Sequence, residues 1–205
     1  MGNTKEYLKK YRSDNEQKTC VVDGCDKPRF LLTTRCSMHD TRLKIYGSLH
    51  KGTIKKGDFE GEYRQARKLI TKNLPFHKGI QLGVTFLDGL LMCEDKSYSK
   101  HLGCLKGKTS GVQLLAVASA MALFNKRNYF DDDYHFRTQL GHQLLTVEKA
   151  DKLRVMKGNC KRELADDVLE NLSTLLNTIV NSIQELKMKK AEALLYQAIP
   201  LMLNN

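Results

Sequence analysis

The chain has 205 residues, of which 41% are hydrophobic, so it is long enough to bury one full core and to carry a small additional module. Its 34 lysines and arginines exceed its 23 acidic residues, and the formal net charge of +11 favours polyanionic partners such as nucleic acid. No stretch approaches the roughly 20 apolar residues of a membrane span, and the N-terminal residues lack the apolar centre of a signal peptide. We therefore expect a cytoplasmic protein without a membrane partner.

The positive charge is concentrated near the N-terminus. Residues 1–57 carry 13 basic and 6 acidic residues, a net charge of +7, and residues 58–205 carry 21 and 17, a net charge of +4. Glycines at positions 47, 52 and 57 interrupt the chain between these regions. The pattern predicts a basic N-terminal module over 1–57 and a second domain over 58–205.

Four potential metal ligands form two close pairs within the basic module. Cys20 and Cys25 form the first pair and Cys36 and His39 the second, with ten residues between them. In a reducing cytosol, clustered cysteines are metal ligands more often than disulfides. Two such pairs can satisfy tetrahedral Zn²⁺, and four protein ligands leave no open position for catalysis. The spacing therefore predicts a structural zinc site, with His50 as an alternative fourth ligand and a catalytic thiol assisted by His39 as the weaker interpretation.

The sequence CVVDGCDKPRFLLTTRCSMHDTRLKIYG resembles the short Cys3His zinc knuckle of many bacteriophage proteins, which often lies beside HNH endonuclease modules. The shared pattern is C-x-x-x-G-C, a Cys-x-x-His pair after a variable loop, and a basic helix ending in Tyr-Gly. The resemblance is limited to residues 20–52. It implies the same four ligands, a small treble-clef-like module and a nucleic-acid setting.

Basic side chains surround the predicted zinc site and could neutralise phosphates. The predicted nucleic-acid contacts are Lys27, Arg29, Arg35, Arg42, Lys44, Lys51, Lys55 and Lys56. Phe30 and Tyr46 lie among them and could either stack on bases or form the small core of the module. We expect DNA rather than RNA as the ligand.

The second domain has helical sequence patterns, so the predicted fold class is mainly α. Asp58 is the expected N-cap of a helix that ends before Pro75. The segment GIQLGVTFLDGLLMC predicts a buried helix, with a strand as the alternative, and KTSGVQLLAVASAMALFNK and DDDYHFRTQLGHQLLTVEK predict two further helices.

The C-terminal segment predicts one long amphipathic helix, or two helices with a break. Its apolar stripe comprises Leu164, Val168, Leu172, Leu175, Ile179, Ile183 and Leu186. Such a stripe usually covers the core of its own domain. A homodimer formed through a coiled coil is the alternative.

We find no catalytic constellation in the sequence. An HNH site needs histidines on a compact ββα unit, and residues 58–205 do not predict one. Asp131, Asp132 and Asp133 precede His135 and could hold a metal, but acidic residues at a helix start are usually caps. GCLKGKTSG lacks the first glycine of a phosphate-binding loop. The scattered Cys93, Cys104 and Cys160 are expected to be packing residues, with a second metal site at His101 and Cys104 as a remote alternative.

These observations predict a non-enzymatic, zinc-containing accessory protein that binds nucleic acid. The resemblance suggests a phage factor in transcription or DNA replication that acts with a polymerase. The alternatives are a divergent HNH-like, metal-dependent endonuclease and a zinc-stabilised protein–protein adaptor.

Overall fold

The computed structural model describes residues 4–147 and 158–203, with side chains described as far as residue 191. The helices in chain order are α1 (Thr4–Glu16), α2 (Ser37–Tyr46), α3 (Glu60–Asn73), α4 (Lys78–Met92), α5 (Ser99–Gly103), α6 (Gly111–Asn125), α7 (Asp133–Leu145) and α8 (Gly158–Leu203). A 3₁₀ turn, Lys56–Phe59, precedes α3, and within the described ranges an isolated bridge between Thr19 and Pro28 is the nearest approach to a strand. The predicted mainly α fold, with a small Cys/His-containing region before the helical part, is confirmed.

Local sequence signals explain where several helices begin. The Asp132 side chain accepts a hydrogen bond from the His135 backbone N–H at the start of α7, as expected for an acidic cap. Ser110 and Gln113 form a capping box at the start of α6. The carboxylate of Asp58 accepts a hydrogen bond from the Lys55 backbone N–H.

One sequence prediction is wrong in the structure, and one open alternative is resolved. Asp58 is not the N-cap of α3, because it lies in the 3₁₀ turn and α3 begins at Glu60. The segment GIQLGVTFLDGLLMC forms most of α4, so the strand alternative is wrong. Its buried residues Ile80, Gly83, Leu87, Leu90 and Leu91 recur at steps of one, three and four, which places them on one helical face.

Helix α6 is the centre of the helical part. It packs against α3, α4, α7 and α8, and most of its side chains are buried. Ala116, Ala118 and Ala120 are fully buried. Their small side chains allow the backbones of neighbouring helices to approach closely. A helix that is apolar on all sides is stable only as such a buried centre.

The C-terminal segment is one unbroken helix. Its predicted stripe packs on the core of its own chain over most of its length: Leu164, Val168, Leu172, Ile179 and Ile183 are buried and Leu175 is partly buried. Leu186, the last member, is 58% exposed. The homodimer alternative stays a prediction.

Buried hydrogen bonds join the N-terminal region to α7 and α8. The Gln139 side chain donates to the Tyr46 carbonyl and accepts from the Ile54 backbone N–H, and Gln143 donates to the Ile54 carbonyl. The Lys161 ammonium donates to the Ile45 carbonyl at 2.9 Å, near the C-terminus of α2 where the helix dipole favours a cation. Ile54 itself is 2% exposed and belongs to the main core.

Candidate metal centre

Two tight turns present the four predicted ligands. Between Cys20 and Cys25, the Cys25 backbone N–H bonds to the Val22 carbonyl and Gly24 adopts φ of +72°, a conformation that glycine adopts without strain. Cys36 is the N-cap of α2 and His39 lies in its first turn, so both side chains leave the same helical end. Gly47, with φ of +75°, ends α2 as the sequence predicts.

The ligand atoms converge on one point. The Sγ atoms of Cys20 and Cys36 each lie 3.4 Å from Nδ1 of His39, and the Sγ atoms of Cys25 and Cys36 are 3.9 Å apart. All four ligand atoms lie within 4.8 Å of one another. Ideal Zn–S and Zn–N bonds in a tetrahedral site imply separations of about 3.8 Å between sulfurs and about 3.6 Å between sulfur and nitrogen. The observed cluster therefore has the dimensions of a four-coordinate metal site.

His39 would bind the metal through Nδ1 rather than Nε2. Nδ1 is the ring atom that faces two of the sulfurs. The Cys-x-x-His spacing identifies the residue but not the ring nitrogen, because that choice depends on the side-chain rotamer at the start of α2.

The cluster is closed to solvent on most sides. Cys20, Cys36 and His39 are buried, Cys25 is partly buried, and Val22 and Leu49 pack beside them. This apolar cluster is far smaller than the helical core, so metal binding would supply much of the folding free energy of the region. Four protein ligands in a covered site describe a structural centre.

The local environment favours the thiolate form of Cys20. Burial acts to raise the pKa of this thiol, but hydrogen bonds from the Val22 and Cys36 backbones and from the side chains of His39 and Cys25 lower it to about 6. The pKa of Cys25 is raised: the backbone hydrogen bond from Lys27 opposes the shift, but burial and the neighbouring thiols Cys36 and Cys20 outweigh it. A bound cation would relieve the repulsion among these sulfurs.

The predicted nucleic-acid contacts divide into two groups. Lys27, Lys44, Lys55 and Lys56 are exposed. The other four are partly buried: Arg29 donates to the Thr19 carbonyl, Arg42 donates to the Leu49 and His50 carbonyls, Lys51 pairs with Asp131 at 2.7 Å, and the Arg35 Nε is buried. Phe30 is 37% exposed and Tyr46 is partly buried, with the Arg42 guanidinium over its ring.

The acidic run at the start of α7, Asp131 to Asp133, has structural partners. Asp131 accepts from Ser48 and pairs with Lys51, Asp132 caps α7, and Asp133 pairs with Arg137. His135 is fully buried, with its Nδ1 accepting from the Asp131 backbone N–H. Among the described residues, the Cys3His group is the one cluster that could hold a metal ion.

The remaining cysteines lie apart from this centre. Cys104 is exposed and its thiol donates to the Lys100 carbonyl, whereas Cys93 and Cys160 are partly buried. Two features of the chain, one beside this centre and one apart from it, were not predicted from the sequence. Asn15 at the end of α1 donates to the Leu31 and Thr33 carbonyls and so fixes the loop between the ligand pairs, and lysines of α3 and α8 form a second basic surface.

In comparisons with known proteins, the chain matches no family model, no curated protein and no solved structure. No helix within the described ranges is both long and apolar enough to traverse a bilayer. What the centre can do must therefore be inferred from its own residues.

Proposed function

We propose that this protein is a zinc-containing, nucleic-acid-binding accessory factor without catalytic activity of its own. The closed Cys3His cluster within a basic segment is the observation that carries the proposal. Cysteine and histidine ligands suit Zn²⁺, and a filled coordination sphere gives the metal a structural role. Residues 20–52 resemble phage zinc knuckles, which supports a role in phage transcription or DNA replication with a polymerase as partner.

The exposed lysines of the module would make the contacts. Lys27, Lys44, Lys55 and Lys56 would neutralise phosphates of DNA, which gives affinity and salt dependence but little base recognition. Arg29 and Arg42 donate to backbone carbonyls within the module, and Lys51 donates to the Tyr129 carbonyl of the helical part. The first role of these three side chains is therefore to stabilise the conformation of the surface.

The adaptor alternative also has support from a specific observation. The buried contacts of Gln139, Gln143 and Lys161 join the knuckle to the helical core, so zinc could serve only to complete a surface that binds protein. This alternative predicts no affinity for nucleic acid at low salt. The HNH-like alternative predicts cleavage of DNA with Mg²⁺ or Mn²⁺.

The deciding experiment is fluorescence anisotropy with labelled single-stranded DNA, double-stranded DNA and RNA over a salt series. We expect binding that weakens steeply with salt, and DNA that stays intact when Mg²⁺ is added. The triple variant Lys27→Gln, Lys55→Gln, Lys56→Gln should bind at least tenfold more weakly at low salt. On duplex DNA, the slope of log K against log salt should fall by about 0.9 for each phosphate that the variant no longer neutralises.

A matched triple variant separates this surface from overall charge. Lys100→Gln, Lys106→Gln, Lys126→Gln removes the same charge from exposed positions of the helical part and should bind like the wild type. Equal weakening by both triples would contradict the proposed surface. Absence of binding to every nucleic acid would favour the adaptor, and cleavage would favour the nuclease.

A further inference from the structure

A groove with a cavity volume of about 420 Å³ lies between α3 and α8, which pack against each other. Each helix contributes residues at positions i, i+3, i+4 and i+7, which form one continuous helical face. On α3 these positions run from Gln65 to Lys72, and on α8 from Ile183 to Lys190. The groove therefore lies between two regular helical faces.

The groove is strongly basic. Lys68 and Lys72 of α3 and Lys187 and Lys190 of α8 line it, and none of its described lining residues is a carboxylate. All four lysines are exposed, and no salt bridge neutralises them among the described residues, whereas Arg64 nearby on α3 pairs with Glu60. Glu185 lies two residues before Lys187 and so points to another side of α8. Four like charges around one groove favour an anionic occupant.

The same groove has an apolar part. Leu69, Ile183 and Leu186 line it, and exposure rises along this row: Ile183 is 3% exposed and Leu186 is 58% exposed. The apolar stripe of α8 thus continues past the point where the described core covers it. An occupant must offer apolar side chains as well as negative charge.

An acidic amphipathic helix meets both requirements. Laid along the groove, its apolar stripe would cover Leu69 and Leu186, and its carboxylates would pair with lysines on both sides. A nucleic-acid backbone would satisfy the lysines but would leave the leucines against sugars and phosphates. As far as side chains are described, to residue 191, no aromatic ring lines the groove to stack on bases.

A second copy of this chain is a poor occupant. Its densest acidic helical stretch, at the start of α8, already has partners: Asp166 pairs with Arg137, Asp167 accepts from Tyr98, and Glu163 accepts from Ser97. Two copies, each with a net charge of +11, would also repel each other.

We propose that the groove between α3 and α8 is the docking site for an acidic amphipathic helix of a partner protein. This surface is separate from the zinc module and does not depend on nucleic-acid binding by that module. It assigns to the helical part a binding function of its own.

The test uses a fluorescein-labelled synthetic helix of about five turns, with leucines along one face and glutamates beside them, and the full chain. A scrambled peptide of the same composition is the control for charge alone. We expect micromolar, salt-sensitive binding of the amphipathic peptide and at least tenfold weaker binding of the scrambled one. Lys68→Glu with Lys187→Glu should weaken binding at least tenfold, and Leu186→Ser about fivefold.

The matched pair Lys100→Glu with Lys126→Glu makes the same charge change away from the groove and should change the affinity less than twofold. Because all these positions are exposed, circular dichroism should show unchanged folds. Equal binding of both peptides, or equal weakening by both charge pairs, would overturn the proposal. The proposal would also be overturned if DNA displaced the peptide and the Lys68→Glu, Lys187→Glu variant lost affinity for DNA, because the groove would then be a nucleic-acid site. If the Lys27, Lys55, Lys56 variant loses DNA binding but still binds the peptide, the groove and the zinc module are independent binding sites.

Discussion

At the scale of single residues, the metal centre depends on four side chains that have few alternatives. Cys36 is 2% exposed, is the N-cap of α2 and would contribute one ligand to a bound metal. Replacing it with serine leaves three ligands and a hydroxyl that binds Zn²⁺ poorly. We expect one zinc per chain in the wild type and a large loss of bound zinc in Cys36→Ser, measured by metal analysis after dialysis.

Cys104→Ser is the matched control for that substitution. Cys104 is exposed, lies outside the cluster and donates to the Lys100 carbonyl. This variant should keep the zinc content of the wild type. Equal zinc content in Cys36→Ser and Cys104→Ser would contradict the assignment of the ligands.

His142 makes stability depend on pH. Burial first, and then the charge of Lys161, lower the pKa of this imidazole to about 4 in the folded chain, from an ordinary value near 6.5. Between these values the unfolded state binds more protons, so acidification favours unfolding. The free energy of unfolding should fall as pH decreases from about 6.5 to about 4, by up to about 1.4 kcal/mol per pH unit for this one group.

His142→Gln should reduce this slope, which denaturant titrations at several pH values would measure. His135, whose pKa burial also lowers, keeps part of the slope in both proteins. An identical slope in His142→Gln and the wild type would contradict the interpretation. Zinc content must be checked at each pH, because protonation of the ligands also releases metal.

At the scale of secondary-structure elements, close contact between α7 and α8 depends on one glycine. A Cβ added at Gly141 would lie 1.8 Å from the Lys161 carbonyl oxygen, so the helices would have to separate. We expect Gly141→Ala to lower the free energy of unfolding by about 3 kcal/mol, because overpacking shifts the backbone.

Gly89→Ala is the comparison, since Gly89 is also helical but its added Cβ would meet no described residue within 4 Å beyond its own stretch of helix backbone. There the gain in helix propensity should raise stability by about 0.5–1 kcal/mol. Urea unfolding of both variants tests the pair. Destabilisation of similar size in the two would show that the contact between α7 and α8 is not the cause.

Sequence patterns predicted those features that depend on neighbouring residues. The two ligand pairs, the end of α2 at Gly47 and the acidic cap of α7 all follow from residues within one or two turns. For α4 the sequence predicted a helix but left a strand as the alternative, because three glycines and β-branched residues made the local propensity ambiguous. The structure shows the helix, packed against α6.

The basic groove could not be predicted for a different reason. Its lysines lie in two segments, near residues 70 and 188, and neither segment alone indicates a binding surface. Only the packing of α3 against α8 brings them together. The distribution of charge along the sequence predicts a basic surface in residues 1–57 alone. Part of that charge, on Lys51, pairs with Asp131 and the Tyr129 carbonyl next to α7.

At the scale of the whole molecule, the two parts of the chain differ in what stabilises them. The main core holds 34 buried apolar side chains among the described residues, all but Ile54 from the helical part, whereas Cys20, Val22 and Cys36 are the buried members of the knuckle cluster. A region with so few buried side chains would rely on a bound metal, and a large core does not need one. Gln139 and Gln143 make buried hydrogen bonds to the Ile54 backbone, so from Ile54 onward the folded structure should no longer depend on metal.

Removal of zinc should therefore unfold one part and spare the other. With a strong chelator and a reductant present, we expect amides of residues 20–36 to lose protection in hydrogen exchange while amides of α6 keep it. Ile54 should stay protected, because its N–H bonds to the buried Gln139 side chain. Helical circular dichroism should decrease only slightly, and added Zn²⁺, but not Mg²⁺, should restore protection. Loss of protection in α6 on chelation would contradict this division, because it would mean that the helical core also requires the metal.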